Sequence, residues 1–359
     1  MSAKRSASAG LASCVAMIAY CSAAHAQSSV TLFGAVDVAF LYTSKTRDPA
    51  TGLNDGKQFS MIDGGSSYSQ FGLIGSEDLG GAISAKFRLQ SAFTANTGDL
   101  VHCNGNLFGC EAWVGLSGPA GDIKIGLQFS PFFLAVYDSD ARNLSLFGSG
   151  ATPYVGTVFG TGIFTPNAIS YSSPVFEGFN ISTLFSFGGK AGDFSAGRQY
   201  SASVRYHLGG LTVTAALFSA DGGGVTSTLV PTDVEFTGRM LGAGYQFGSL
   251  IAKISFVNYK VAGSFNNNVY SGGASWLVTP TFDVNGGVWV VSDRSHTTNH
   301  SITVAIGSEY FLSKSTSLYA RLGMINNHGK MNTGLSIIGA LNGVRGTTFG
   351  GVLGIKKTF

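Results

Sequence analysis

The stretch Ile-Ser-Ala-Lys-Phe-Arg-Leu-Gln at residues 83–90 alternates strictly between apolar and polar side chains. Successive side chains of a β-strand point to opposite faces, so this pattern predicts a strand with one apolar and one polar face. The same alternation recurs at residues 202–207, 241–247, 252–256 and 318–324. We therefore predict an all-β chain.

The connections between the alternating segments are of two kinds. Short turns rich in glycine, proline or serine occur at residues 79–81, 118–121, 177–178, 208–210, 247–249, 279–281 and 313–315. Longer polar connections occupy residues 43–66, 94–106, 129–166, 188–197, 221–237, 262–268, 292–299 and 326–346. Together they divide the chain into sixteen strands. Tight turns at one end and long loops at the other are typical of outer-membrane barrels, and an even strand number lets the first strand pair with the last.

Composition separates a membrane barrel from a soluble β-protein. Charged residues make up 11% of the chain, against roughly 25% in soluble globular proteins. No segment after residue 26 has 18 consecutive apolar residues, so a membrane helix does not account for the low charge. A secreted β-sandwich also alternates, but it does not keep long strands joined in turn by very short and very long connections. We predict a 16-stranded antiparallel transmembrane β-barrel with long extracellular loops.

The N-terminus has the three parts of a secretory signal peptide. A basic start at residues 4–5 precedes a small and apolar run at residues 9–21, and Ala24-His25-Ala26 is a small-x-small cleavage site. The apolar run is shorter than the roughly 20 residues of a membrane helix. We expect residues 1–26 to be removed and residues 27–359 to form one barrel domain.

Two cysteines, Cys103 and Cys110, remain after the signal peptide. In an oxidising compartment they could close a small loop disulfide, although two thiols are too few for a structural framework. A zinc site would need more ligands than the neighbouring His102 supplies. We therefore treat Cys103 and Cys110 as a candidate disulfide and expect no metal site.

Catalytic and cofactor motifs are not found in the sequence. His296 and His300 have a spacing that aligns ligands on a helix, but this segment is predicted to be a hairpin loop. The glycines are scattered along strands and turns instead of forming a phosphate loop between a strand and a helix. No basic cluster suggests nucleic acid. We expect no enzymatic activity, no cofactor and no nucleic-acid partner.

Five segments carry a family resemblance: VTLFGAVD at 30–37, FGLIGSEDLGG at 71–81, FGCEAWVGL at 108–116, GDIKIGLQ at 121–128 and KKTF at 356–359. They resemble the trimeric Gram-negative general porins of the Burkholderia, Bordetella and Neisseria type. The resemblance implies a homotrimer in the outer membrane, a passive aqueous pore and a third extracellular loop folded into the lumen. A final strand ending in phenylalanine also resembles the signal read by the outer-membrane assembly machinery.

Charged side chains on the polar face of a strand are expected to point into the lumen, because a charge facing lipid costs about 2–4 kcal/mol near the membrane midplane. The charged wall candidates are Asp37, Lys86, Arg88, Arg205, Lys253, Glu309 and Arg321, and the neutral Gln70 is a further lumen candidate. In the porins that this chain resembles, basic residues often occupy the positions of Gln70, Ile74, Cys110 and Leu127, and they often give anion preference. Their absence here predicts weak charge selectivity.

The connection at residues 129–166 is the predicted constriction. It is longer than an ordinary hairpin loop and too apolar for disorder. Asp138, Asp140 and Arg142 are the charges that it could show to permeating solutes. Alternatively, the three residues cap a short helical turn.

The function expected from these features is that of a general diffusion porin in the outer membrane. Small hydrophilic solutes and ions would pass through it, and outer-membrane lipid and lipopolysaccharide would surround it. The alternative is a substrate-specific channel for sugars or organic acids, which a ladder of lumen aromatics would favour. Tyr137, Tyr154 and Trp289 are candidates for such a ladder, but they do not form one that the sequence reveals.

Overall fold

The computed structural model describes residues 28–100, 102–158, 162–221 and 234–359. The expected signal peptide therefore lies outside the described residues. The strands are β1 Ser28–Thr43, β2 Gln58–Asp63, β3 Ser69–Gly80, β4 Ile83–Phe93, β5 Glu111–Gly118, β6 Gly121–Gln128, β7 Thr165–Ser172, β8 Phe179–Ser186, β9 Gln199–Leu208, β10 Leu211–Ala220, β11 Phe236–Phe247, β12 Leu250–Val261, β13 Asn266–Thr279, β14 Phe282–Asp293, β15 His300–Ser313, β16 Thr316–His328, β17 Thr333–Ser336, β18 Ala340–Asn342 and β19 Gly346–Thr358. The helices are α1 Pro131–Ser139 and α2 Ala151–Val158.

The main sheet closes on itself. Each strand pairs antiparallel with its neighbour in the wall, and β1 pairs with β19, so that Asp37 lies opposite Lys356. Strands β2 and β3 lie end to end along β1 and share one position in the wall. Strands β17 and β18 form a separate two-stranded sheet. The described strands thus make sixteen wall positions, which confirms the predicted barrel.

The predicted turns and loops agree with the structure except in two of the long connections, the first and the last. Each of the seven short turns falls between consecutive strands at one end of the barrel. The predicted first loop, residues 43–66, is wrong at Gln58–Asp63, because this segment extends the wall by pairing with the long-loop half of β1. Residues 64–68, between β2 and β3, leave the ladder and turn into the lumen; we call them the β2–β3 break.

The two faces of the wall differ as the alternation predicts. On β16, Leu318 and Leu322 are exposed on the outer face, whereas Tyr319 and Arg321 are buried on the lumen face. Leu353 on β19 lies opposite Ala320 and continues the outer apolar row. No helix in the described residues is long and apolar enough to cross a membrane.

Leu322→Arg tests this assignment of faces. Leu322 is 67% exposed on the outer face, so an arginine there is expected to lower the free energy of unfolding in lipid vesicles by about 2–4 kcal/mol. Ser203→Arg is the matched control, because Ser203 lies on the lumen face of β9, beside Arg205 and opposite Ala216. Denaturant midpoints in vesicles measure both changes. Equal losses in the two variants would contradict the assignment.

Apolar packing fills part of the lumen. Residues 129–158 and 162–164, which we call the lumenal loop, leave the wall after β6 and fold inside the barrel. Helix α1 begins with Ser130 as its N-cap, whose Oγ accepts from the Phe133 N–H, and with Pro131 in its first turn. The prediction of a third loop folded into the lumen is confirmed.

Candidate functional site

The lumenal loop is held to the wall by an aromatic cluster. Phe132 is fully buried and packs against Phe218 of β10 and edge-on against Tyr259 of β12, with ring centroids 6.0 and 5.9 Å apart. Gly238 lies opposite both wall residues, and a Cβ at this position would come within 2.6 Å of the Phe132 ring. The cluster therefore seats α1 on one side of the barrel and leaves the other side to polar groups.

Asp140 fixes the turn that follows α1. Its Oδ1 accepts from the backbone N–H groups of Arg142 and Leu144, at 2.8 and 3.1 Å. Its Oδ2 accepts from the Gly150 N–H at 3.0 Å and from the Trp289 indole N–H at 2.7 Å. Both carboxylate oxygens are thus engaged, and the residue is only 3% exposed.

The expectation that Asp140 shows its charge to solutes does not fit this placement. A loop carboxylate was expected to point into water, but four N–H donors converge on it and remove it from the lumen surface. Its role in the structure is closer to the alternative from the sequence, in which the loop acids terminate a helical turn. Asp140 is indeed the residue after α1, and its own N–H donates to carbonyl groups of the last turn.

Arg142 joins the loop to the wall at β14. Its Nε donates to Asn285 Oδ1 of β14 at 2.9 Å, and its Nη1 donates to the carbonyl groups of Phe147 and Gly148. Its Nη2 has no hydrogen-bond partner among the described residues. Burial, and then repulsion by Arg321, lowers the pKa of Arg142 to about 9, so the guanidinium stays charged at neutral pH.

The β2–β3 break forms the next part of the constriction. The Asp37 carboxylate accepts from the backbone N–H groups of Ser66 and Ser67 at 3.1 and 2.8 Å, and from the Tyr319 hydroxyl. Arg321 donates to the Gly65 carbonyl and to Ser66 Oγ. Asp37 is fully buried by these contacts, so it orders the break and does not present a charge to water.

A polar cavity of ≈ 260 Å³ lies between the lumenal loop, the β2–β3 break and the wall. Its charged lining residues come from separate parts of the chain: Arg142, Arg321, Lys356, Asp283 and Glu309. Asp283 accepts from Ser275 and Asn285, and Glu309 accepts from Ser317. Three cations and two acids therefore share one small space.

A second cavity, of ≈ 230 Å³, lies on the other side of the lumenal loop beside β9–β12. Asp138 forms an ion pair with Arg205, and both side chains are about two-fifths exposed. Lys253 donates to the Asp140 carbonyl at 3.0 Å and to Asn143 Oδ1 at 2.8 Å. These predicted residues therefore meet in the second cavity, whereas Arg142 and Arg321 line the first.

A third group of predicted residues lies on the wall formed by β3–β5. Lys86 and Gln70 share the lumen face with Arg88, whose Nε lies 2.6 Å from Glu111 Oε2. Gln90 donates to Gln70 at 2.8 Å. The structure thus divides the predicted set among two cavities and this wall, and it buries Asp37 and Asp140 in the contacts that hold the inward segments.

Cys103 and Cys110 are joined by a disulfide in the connection between β4 and β5. In the same region, His102 Nε2 lies 3.1 Å from Asp63 Oδ2, at the end of β2. Within the described ranges, no three histidine, cysteine or acidic residues are arranged to hold a metal ion.

Sequence reasoning missed several lining residues. Asp283, Asn285 and Lys356 carry the alternating pattern of their strands, but alternation does not tell which rows border the loop. Ser66 was missed because it was placed in an outer loop. The last long connection, residues 326–346, is also expected from the sequence to be an outer loop, but Leu335 is buried, and its carbonyl accepts from the Gly148 N–H at 2.8 Å.

The sequence and the fold both match known outer-membrane proteins. A family model described as "Gram-negative porin" matches residues 11–330. Outer membrane porin protein 32 of Delftia acidovorans is 31% identical, over 92% of this chain and 93% of that protein. An outer membrane porin protein of Bordetella pertussis is 26% identical, over 84% of this chain and 90% of that protein.

Among solved structures, the anion-selective porin from Comamonas acidovorans superimposes with a TM-score of 0.79 at 27% identity, over 93% of this chain and 100% of that chain. This match has the same closed barrel as the described residues, and the family model spans most of the sequence. The chain therefore belongs to the Gram-negative porin family and is a porin of the outer membrane.

Proposed function

We propose that this porin is a general diffusion channel with a weak preference for anions. Ions and small hydrophilic solutes move down their gradients through water, and no residue needs to perform covalent chemistry. The lumenal loop and the β2–β3 break set the size limit, because both fold inward from the wall.

The observation that carries the proposal is the charge balance of the ≈ 260 Å³ cavity. Arg142, Arg321 and Lys356 outnumber Asp283 and Glu309 there by one charge. Patches of charge of this kind set the preference of a pore. The second cavity has a similar balance, with Arg205 and Lys253 against Asp138.

The preference is expected to be weak for two reasons. Acids accompany the cations in both cavities, and this reduces the net field along the path. Gln70 and Ile74 are neutral at lumen-facing positions where related porins often carry basic residues. The anion selectivity of the Comamonas acidovorans porin supports the sign of the preference and not its strength.

A substrate-specific channel is the less favoured alternative. A sugar or organic acid pathway would need aromatic rings accessible along the lumen. Tyr154 and Trp289 are each only 1% exposed, and Trp289 is committed to Asp140. Tyr137 is 42% exposed, and one exposed ring of the three candidates does not make a ladder.

We propose a homotrimer embedded in outer-membrane lipid and lipopolysaccharide, with residues 1–26 removed on export. The family supports this assembly. Recognition of the C-terminus by the assembly machinery is expected to precede closure, because in the closed barrel the Phe359 backbone pairs with Gly34 through two hydrogen bonds, of 2.9 and 3.0 Å.

Single-channel recording under a potassium chloride gradient tests the proposed function. Inserted protein should give stepwise openings in threes, with a reversal potential whose sign indicates weak anion preference. Lys356→Glu should shift the reversal potential towards cations, and Asp283→Asn should shift it further towards anions. Lys330→Glu, on the exposed loop after β16, is the control for net charge and should leave the reversal potential unchanged.

Two results would overturn the proposal. Folded and inserted barrels without conductance would exclude an open pore. A reversal potential that indicates cation preference, and that neither Lys356→Glu nor Asp283→Asn changes, would show that the assigned residues do not set the charge of the constriction.

A further inference from the structure

A polar pocket of ≈ 300 Å³ lies on the outside of the barrel, near the long-loop ends of β11, β12 and β13. Arg239 lies on the same face of β11 as the exposed Leu241, and Lys260 lies on the same face of β12 as the exposed Phe256. Both cations therefore point away from the lumen. Arg294, in the connection after β14, completes what we call the outer basic cluster.

The cluster brings like charges together on one surface. Arg239 is paired in register with Asn258, and the neighbouring Lys260 with Thr237, so the two cations are diagonal neighbours across β11 and β12. The backbone N–H of Arg294 donates to the Asn266 carbonyl at 2.7 Å, which holds this third cation beside β13. Like charges this close repel each other unless an anion lies between them.

The described residues supply little compensation for these charges. In the ranges 28–100, 102–158, 162–221 and 234–359, none of the three cations forms an ion pair, although other surface cations such as Lys190 and Arg198 do. Glu235 is the one acid that lines the pocket. All three basic side chains are exposed. The cluster thus keeps an excess of positive charge.

The position of the cluster identifies the source of the anion. Directly below it on the outer face lie Leu241, Phe256 and Tyr270, and the last two rings are 5.2 Å apart. This apolar surface faces the hydrocarbon of the membrane, since the lumen faces the other way. An anion bound at the cluster therefore lies at the headgroup level of the outer leaflet, with apolar surface beneath it for acyl chains.

We propose that the outer basic cluster binds a phosphate group of a phosphorylated glycolipid in the outer leaflet. The three cations neutralise the phosphate, and the hydroxyl of Thr237 and the amides of Asn258 and Asn266 border the same pocket. Acyl chains lie along Leu241 and Phe256. This site plays no part in conduction, because it opens to the outside of the barrel.

Native mass spectrometry of the full mature protein with lipid A tests the proposal. Bisphosphorylated lipid A should bind more tightly than fully dephosphorylated lipid A. The variant Arg239→Gln/Lys260→Gln/Arg294→Gln should lose at least about tenfold in affinity for the bisphosphorylated lipid, because each cation near a charged membrane surface contributes several-fold. The variant Lys57→Gln/Lys330→Gln/Arg345→Gln removes the same charge from exposed positions outside the cluster and should bind normally.

Three controls make the result decisive. Millimolar inorganic phosphate should fail to displace the lipid, because it lacks the acyl chains; full displacement would show a site for free phosphate and refute a lipid site. Equal binding of phosphorylated and dephosphorylated lipid, or equal losses in both triple variants, would also refute it. Conductance and reversal potential of the cluster variant should match wild type, which separates failure here from failure of the proposed pore.

Discussion

Asp140→Ala is expected to release the lumenal loop and widen the pore while the barrel stays closed. The substitution leaves four N–H donors without their acceptor, namely those of Arg142, Leu144, Gly150 and the Trp289 indole. Each buried donor left without an acceptor costs about 1–3 kcal/mol, and water entering the loop recovers part of it. We expect a net loss of at least about 3 kcal/mol in loop stability.

Amide hydrogen exchange and single-channel conductance measure this effect together. Exchange at Leu144 and Gly150 should become fast, and openings should become larger and noisier. Asp140→Asn keeps one acceptor oxygen and should give an intermediate result. Asp48→Ala is the matched control: Asp48 also accepts from backbone N–H groups, which lower its pKa, but it lies in an exposed loop. Unchanged exchange in Asp140→Ala would exclude Asp140 as the anchor.

Asp37→Ala is expected to destabilise the seam where the barrel closes. The substitution removes the acceptor for the Ser66 and Ser67 N–H groups and for the Tyr319 hydroxyl. It also removes one of the negative charges near the buried Arg321, which keeps Asp283 and Glu309 in the adjoining cavity. Removing one partner from a buried charged network typically costs about 3–5 kcal/mol.

A double-mutant cycle with Tyr319→Phe tests whether Asp37 acts through this network. The single variant Tyr319→Phe should cost about 1–3 kcal/mol, because it leaves an oxygen of Asp37 without its donor. The double variant should lose about 0.5–3 kcal/mol less than the sum of the single losses. Urea midpoints in vesicles provide the three values. Additive losses would mean that Asp37 and Tyr319 are not coupled.

The wall of this barrel could be predicted because its physical constraint repeats at every second residue. A slip of one position would turn each apolar row into the lumen, so the alternation at residues 83–90 and 318–324 fixes which face is which. The tight turns at Gly80 and Gly209, which have φ of 81° and 58°, need glycine and so mark the strand ends. Neither inference needs knowledge of distant contacts.

The interior could not be predicted in the same way, because it depends on contacts between distant parts of the chain. Asp140 and Trp289 are 149 positions apart, and nothing near Asp140 in the sequence indicates burial. Strand β2 has only six residues. It pairs with β1 as a separate strand because the chain turns into the lumen at the β2–β3 break. The sequence predicts that Arg321 faces the lumen, but its engagement with Gly65 needs the folded structure.

The pairing of β1 with β19 has a kinetic consequence. Most strands pair with the next strand in the chain, and hairpins of this kind form in microseconds. The seam instead joins Ala35 to Thr358, so it cannot form before the last residues have been synthesised and delivered. Contacts of such long sequence separation form slowly, and until they form both terminal strands present unpaired edges that can recruit other chains. We therefore expect seam closure to be the rate-limiting step of biogenesis and the interval before it to be the period of greatest aggregation risk.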